Sequence, residues 1–322
     1  VWSFTSTNLS PELYSYNLIL DGVKIVDPGS VYITRDITSE TNIFILSDKK
    51  GDCGDLYTVN EVPHGNVQKV WYDSPTLKMQ RRMTVYTPAG YDKGKDYPVL
   101  YLLHGAGGDE DAWTTLGRAS QILDNLIATG KAKPMVVVMT NGNPNCQAAP
   151  GEWSAGMYVP SFYGYQGAKA VATMDESFPD VMNYVESHYK VGKDKAHRAI
   201  CGLSMGGGHS FDISRRFPNK FDYVGLFSAG LHVGKTGDFR TDFYKMLQED
   251  EEAKQQLATL FKNKPKLYWI GMGKTDFLYK STAGLRRYFD EKGYKYTYME
   301  TEGGHIWRNW RVYLTEFAQK IF

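Results

Sequence analysis

Cysteine is scarce, with Cys53, Cys146 and Cys201 the only three among 322 residues. The odd count and wide spacing form neither a metal-ligand motif nor a disulfide framework, so at least one thiol is unpaired and no metal or other cofactor is expected. Cys201, closing an apolar run, reads as a small buried hydrophobe; Cys53 and Cys146 are left open to pair or not. Long hydrophobic runs are missing too. The longest, 98–103 and 135–139, are strand-length and far below the roughly 18 to 20 residues of a bilayer span. An excess of one charge is also lacking: Lys+Arg 37 against Asp+Glu 36 leave a formal +1. No basic run interleaved with aromatics tracks a nucleic-acid backbone, so neither membrane nor nucleic acid is an expected partner. Internal repeats and low-complexity tracts are absent, and the start at Val1, without methionine or an apolar signal segment, reads as a processed or trimmed end.

What the chain does have is length for a catalytic domain of about 250 residues plus an accessory module. Residues 1–62 alternate apolar and polar side chains, as in Tyr14-Ser15-Tyr16-Asn17-Leu18-Ile19-Leu20 and Asn42-Ile43-Phe44-Ile45-Leu46, with turn signals at Asp21-Gly22 and Asp27-Pro28-Gly29. That pattern predicts a small β-sandwich. Its stretch from Tyr14 to Pro28 resembles the immunoglobulin-like early-set modules related to glycogen-binding domains, and the resemblance implies a spacer, a lid or a carbohydrate-binding module.

Residues 63–322 change texture. Continuous apolar runs at 83–86, 99–103, 135–139, 223–227, 266–270 and 295–299 predict strands, and helices are expected at 119–128, 175–188, 282–291 and 307–319. Strand and helix in alternation imply an α/β doubly wound, mostly parallel sheet, whose ligands bind beyond the carboxyl ends of the strands.

The chemistry centres on Gly202-Leu203-Ser204-Met205-Gly206, directly after the apolar run ending in Cys201. A G-x-S-x-G between strand and helix is the nucleophile elbow of an α/β-hydrolase sheet, and its partners follow in the order Ser, acid, His. Three histidines lie beyond Ser204: His209, His232 and His305. His209 is directed by the helix the elbow starts, and His232 precedes any well-placed acid. His305 follows the last strand and the Gly303-Gly304 pair, so it is the expected base. Asp276, in the loop after the preceding strand, is the expected orienting acid; Glu300 and Glu302 lie too near His305 in sequence to reach its far ring nitrogen easily. The amide of Met205 is one expected oxyanion donor, and Ala106, in His104-Gly105-Ala106-Gly107-Gly108, supplies the other. His104 itself reads as a structural hydrogen-bonder.

Three motifs, Tyr97-Pro98-Val99-Leu100-Tyr101-Leu102-Leu103-His104-Gly105, the elbow through Gly207, and Gly303-Gly304-His305-Ile306-Trp307, together resemble the esterase group that contains carbohydrate esterase family one. That group includes feruloyl and acetyl xylan esterases, siderophore esterases, S-formylglutathione hydrolases and mycolyltransferases. The resemblance covers about 255 residues. It implies nucleophile Ser204, acid Asp276, base His305 and oxyanion amides at Ala106 and Met205. It further implies a secreted or periplasmic bacterial enzyme acting on feruloylated or acetylated plant cell-wall polysaccharide.

Substrate choice is expected in 141–173, a segment too long for a plain connection and rich in aromatics: Trp153, Met157, Tyr158, Phe162, Tyr163 and Tyr165. Trp153, Tyr158, Trp307 and Trp113 are the candidate substrate contacts, although such rings serve equally to pack a loop onto its domain. The expected reaction is release of ferulate or a related hydroxycinnamate from arabinoxylan through an acyl-enzyme. Deacetylation of xylan, hydrolysis of a siderophore ester and an inactive hydrolase fold that binds glycan are the alternatives.

Overall fold

In a computed structural model, which describes residues 3, 5, 6, 9–158, 170–234 and 243–322, the N-terminal alternation becomes five short strands. These are β1 (Glu12–Tyr16), β2 (Leu18–Leu20), β3 (Val23–Ile25), β4 (Ile33–Asp36) and β5 (Ser39–Leu46). They pair as a three-stranded antiparallel sheet in the order β1-β5-β4 and a separate β2-β3 hairpin. A single turn of helix, α1 (Cys53–Tyr57), is capped by Asp52, whose carboxylate accepts from the Asp55 amide.

The second region opens with β6 (Asn66–Ser74) and β7 (Met79–Thr87), an antiparallel pair at one edge of an eight-stranded sheet. Six parallel strands complete it: β8 (Val99–Leu103), β9 (Val136–Thr140), β10 (Arg198–Leu203), β11 (Tyr223–Phe227), β12 (Leu267–Gly273) and β13 (Thr297–Thr301). The order across the sheet is β13-β12-β11-β10-β8-β9-β7-β6. Every residue of β8 to β11 is buried, because a parallel sheet is covered by helices on both faces.

Two apolar layers do the covering. On one face α4 (Met174–His188), α5 (Met205–Arg216), α6 (Phe243–Glu249), α7 (Glu251–Lys262) and α8 (Tyr279–Lys292) pack through Phe178, Phe211, Leu257 and Phe289. On the other, α2 (Ala112–Thr115), α3 (Ala119–Ala128) and α9 (Trp307–Ala318) pack through Trp113, Ile122, Leu314 and Phe317. Thr173 and Glu176 form a reciprocal capping box that fixes the start of α4. All three cysteines are free, which decides against a Cys53–Cys146 bridge, and Cys201 lies fully buried in the sheet.

The N-terminal region is fastened to this body by polar contacts. Glu12 accepts from Arg311 at 3.0 Å and Arg308 at 3.2 Å, Arg118 donates to the Tyr32 hydroxyl, and Arg35 pairs with buried Asp109 at 2.6 Å.

Candidate active site

Ser204 stands between β10 and α5 with φ 73° and ψ −105°. A non-glycine residue holds positive φ only under constraint, and the constraint is visible. The Ser204 amide donates to the Phe227 carbonyl at 2.9 Å, while its own carbonyl accepts from the Gly208 and Gly230 amides at 2.9 and 2.8 Å. The elbow also needs its flanking glycine at 206, where a Cβ would lie 2.5 Å from the carbonyl oxygens of both Leu103 and His104. Close approach of this turn to the end of β8 sets the serine on the rim of the sheet.

His305 reaches it from the loop between β13 and α9. Its Nε2 lies 2.9 Å from Ser204 Oγ, and its Nδ1 lies 2.9 and 3.1 Å from the two oxygens of Asp276. Asp276 sits just beyond β12, its side chain fully buried. Burial alone would raise its pKa. Hydrogen bonds from His305, the Leu278 amide and the Ser228 hydroxyl, with the nearby imidazole, outweigh that penalty and hold the carboxyl below its ordinary value. Asp276 is thus a committed hydrogen-bond acceptor, and its contact fixes a proton on Nδ1, leaving Nε2 to face the serine hydroxyl. The imidazole is further boxed by Phe277 and by the edge-on ring of Trp310, with centroids 4.5 and 4.9 Å away.

The turn after β8 closes the other side. A Cβ on Gly105 would lie 3.3 Å from Ser204 Cβ, and Ala106 lines the cleft beside the serine. His104, fully buried, anchors this turn: its Nε2 accepts from the Gly142 amide at 2.7 Å and its Nδ1 donates to the Gly105 carbonyl at 2.7 Å. Burial depresses its pKa, so it is a neutral brace. Met205 opens α5 immediately after the serine.

The remaining candidates separate. Trp307 borders the cleft. Trp113 does not: it is 1 % exposed, its indole N–H donates to the Leu103 carbonyl at 2.9 Å, and its ring meets Trp307 edge-on at 5.2 Å. It is a core residue that backs Trp307, because the short helix α2 turns its apolar side onto the sheet. Trp153 and Tyr158 lie outside the cleft lining among the described residues, with Tyr158 93 % exposed; Phe162, Tyr163 and Tyr165 fall outside the described residues. Glu300 accepts from Tyr279 and Tyr298, and Glu302 pairs with Lys274, so neither serves His305. His209 is half-buried, and desolvation lowers its pKa to about 4.

Sequence reasoning missed two groups. Ser228 bridges Asp276 and Trp310, accepting from the Trp310 indole at 3.1 Å; a serine at the end of β11, one strand from the elbow, was the available signal. The turn Arg35-Asp36-Ile37 forms a wall of the cleft facing Ser204, and no local pattern announces so distant a contact.

Known proteins of similar sequence and fold are esterases. An endo-1,4-beta-xylanase/feruloyl esterase of Xylanibacter ruminicola is 31 % identical over 333 residues, an alignment covering 100 % of this chain and 40 % of the relative. The chain therefore spans well under half the length of that protein. A ferulic acid esterase structure superposes with TM-score 0.63 at 26 % identity, covering 82 % of this chain and 100 % of the other. The ferulic acid esterase of the anaerobic fungus Anaeromyces mucronatus gives TM-score 0.63 at 25 % identity, covering 84 % and 96 %. The family model described as "Putative esterase" matches residues 74–321, and with that span of the chain inside it, the protein belongs to this esterase family.

Proposed function

We propose that this chain is a serine carboxylic ester hydrolase that releases ferulate or a related hydroxycinnamate from the arabinose side chains of arabinoxylan. The observation that carries the reading is the continuous relay Ser204 Oγ to His305 Nε2 and His305 Nδ1 to Asp276, each link 2.9 Å. Ser204 Oγ attacks the ester carbonyl as His305 takes its proton, and the oxyanion is held by the amides of Ala106 and Met205. Each such donor contributes about 3 to 4 kcal/mol to the transition state. Collapse expels the sugar alcohol, protonated by His305. Water, deprotonated by the same imidazole, then attacks the acyl-enzyme, and its collapse frees the acid and restores Ser204.

The acyl preference is supported by the names of the relatives, and xylan deacetylation is its rival. Among the described residues lining the cleft and the groove that continues from it, the cations are Arg35, Arg308 and Arg311, each paired with a carboxylate, Asp109 for the first and Glu12 for the other two; that pairing weighs against a clamp for an anionic siderophore. We further propose that the N-terminal region, to about residue 62, is a module on a catalytic domain starting near 63, and that the enzyme is secreted or periplasmic. No helix among the described residues is long and apolar enough to cross a membrane.

Release of ferulate from methyl ferulate and of acetate from acetylated xylan, assayed side by side, tests the choice; acetate alone would reject the feruloyl reading. Ser204→Ala is expected to lower kcat on an activated aryl ester by about 10⁶-fold, with Asp276→Asn costing less, about 10⁴-fold. Undiminished turnover by Ser204→Ala would remove the serine from the mechanism.

A further inference from the structure

The leaving alcohol of the proposed ester hydrolysis must take its proton from His305 Nε2, so it lies on the His305 side of Ser204. That side is open. A cavity of about 380 Å³ holds Ser204, Ala106 and His305 on its catalytic wall and residues 33–37 of the N-terminal sheet opposite. It continues into a larger groove of about 740 Å³ between that sheet and the start of α9, the two sharing Thr34, Asp36, Ile37, His305 and Trp307. We propose that this groove is the subsite for the leaving alcohol, and that its ligand is a pentose-based oligosaccharide held between the N-terminal sheet and α9. The inference rests on the serine-esterase reading and adds which part of the substrate binds, where, and on which residues.

The lining has the chemistry of a polyol site. Thr38, Ser39 and Thr41, acidic Asp36 and basic Arg308 line it together with Trp307. Such a mixture of directional polar groups and aromatic surface, to which Tyr14 and Trp310 also contribute, suits a sugar, whose edges hydrogen-bond and whose faces are apolar. The volume of the groove lies in the range of small-ligand sites, roughly 300 to 1,000 Å³.

The wall is also built to stay in place. Ile37 and Thr38 make the two-residue turn between β4 and β5, and Ile37 holds φ 57°, a conformation costly for a β-branched residue. Its side chain lies against the oxyanion turn, where a Cβ on Gly107 would come 2.6 Å from Ile37 Cγ1. On one side of Ile37, Arg35 donates to its carbonyl at 2.9 Å and to Asp109 at 2.6 Å. Asp36 accepts from the Trp307 side chain two positions after the base. Three consecutive residues thus tie the sheet to both banks of the cleft, and a strained turn kept this way is a positioning device for what lies between them.

The test compares two esters of one acid, methyl ferulate and a feruloylated arabinoxylo-oligosaccharide, in the full chain and in Thr38→Trp and Thr41→Trp, which fill the groove. The natural chain should favour the oligosaccharide ester by at least tenfold in kcat/KM, and each variant should reduce that ratio at least tenfold, chiefly through KM. A thermal melt checks that each variant folds. A second arm titrates the ferulate-free oligosaccharide into Ser204→Ala by calorimetry; binding should be seen there and lost when Thr38→Trp is added. Equal losses on both esters, an unchanged ratio in both variants, or oligosaccharide binding indifferent to Thr38→Trp would overturn the subsite. Failure of the esterase reading looks different: turnover that survives Ser204→Ala, or no hydrolysis of any ester, while the titration still reports on the groove.

Discussion

Asp276 ties the candidate active site to acid stability. Its folded pKa lies below the unfolded value of about 3.9, so the folded state binds fewer protons at this site. The resulting stabilisation is fully present above about pH 5 and is lost as pH falls through the depressed value. Asp276→Asn should therefore melt with a flatter pH dependence below pH 4 than the natural chain, measured by thermal scans from pH 2 to 6. A parallel decline in both proteins would detach Asp276 from acid unfolding. That Ser204, Asp276 and His305 come together was legible in sequence because their order along the chain follows the strand ends that present them. Trp113 was not. Indoles near a cleft and indoles behind it have the same letter, and only the bond to the Leu103 carbonyl separates them.

At the scale of elements, the junction of β8, β10 and α5 is the most constrained place in the chain. Any Cβ at Gly206 must displace two carbonyl oxygens that end β8, and those carbonyls lead into the turn bearing Ala106. Gly206→Ala is expected to lower kcat by about 10²-fold or more through a shift on the order of 1 Å between Ser204 and the turn bearing Ala106. Its KM should change less, and steady-state kinetics on an aryl ester reads the difference. β8 and β11 were located to the residue from sequence, since burial on both faces leaves an unbroken apolar run. β6 escaped because it is an edge strand with most positions exposed, so its letters carry no core signal. α7 does carry one, in buried Ala253, Leu257 and Leu260 at helical spacing, and was passed over beside the stronger strand patterns.

Across the whole molecule, the N-terminal region departs most from expectation. Alternation predicted strands there, and strands are found. The three-stranded sheet is joined to the larger body by charges that alternation cannot reveal, because their partners lie up to 299 positions away. Glu12 and Arg311 are both only 4 % exposed at the side chain, and deleting one member of such a buried pair costs about 3 to 5 kcal/mol. Glu12→Ala should lower stability by that amount in a single cooperative unfolding transition that carries the larger body with it. Two separate transitions, with only the smaller one shifted, would show the sheet to be an independent unit. The exposed stretch around Glu61 then acquires a particular meaning. Asn60 bonds Asn125 at 3.1 Å on one side of it, and His64 and Gly65 bond Asp124 at 3.0 and 2.9 Å on the other. Both ends are moored to α3. Hydrolysis of the peptide bond after Glu61 would therefore leave two fragments that travel as one particle on a sizing column and part only in denaturant, the chain's continuity having become redundant once folding is complete.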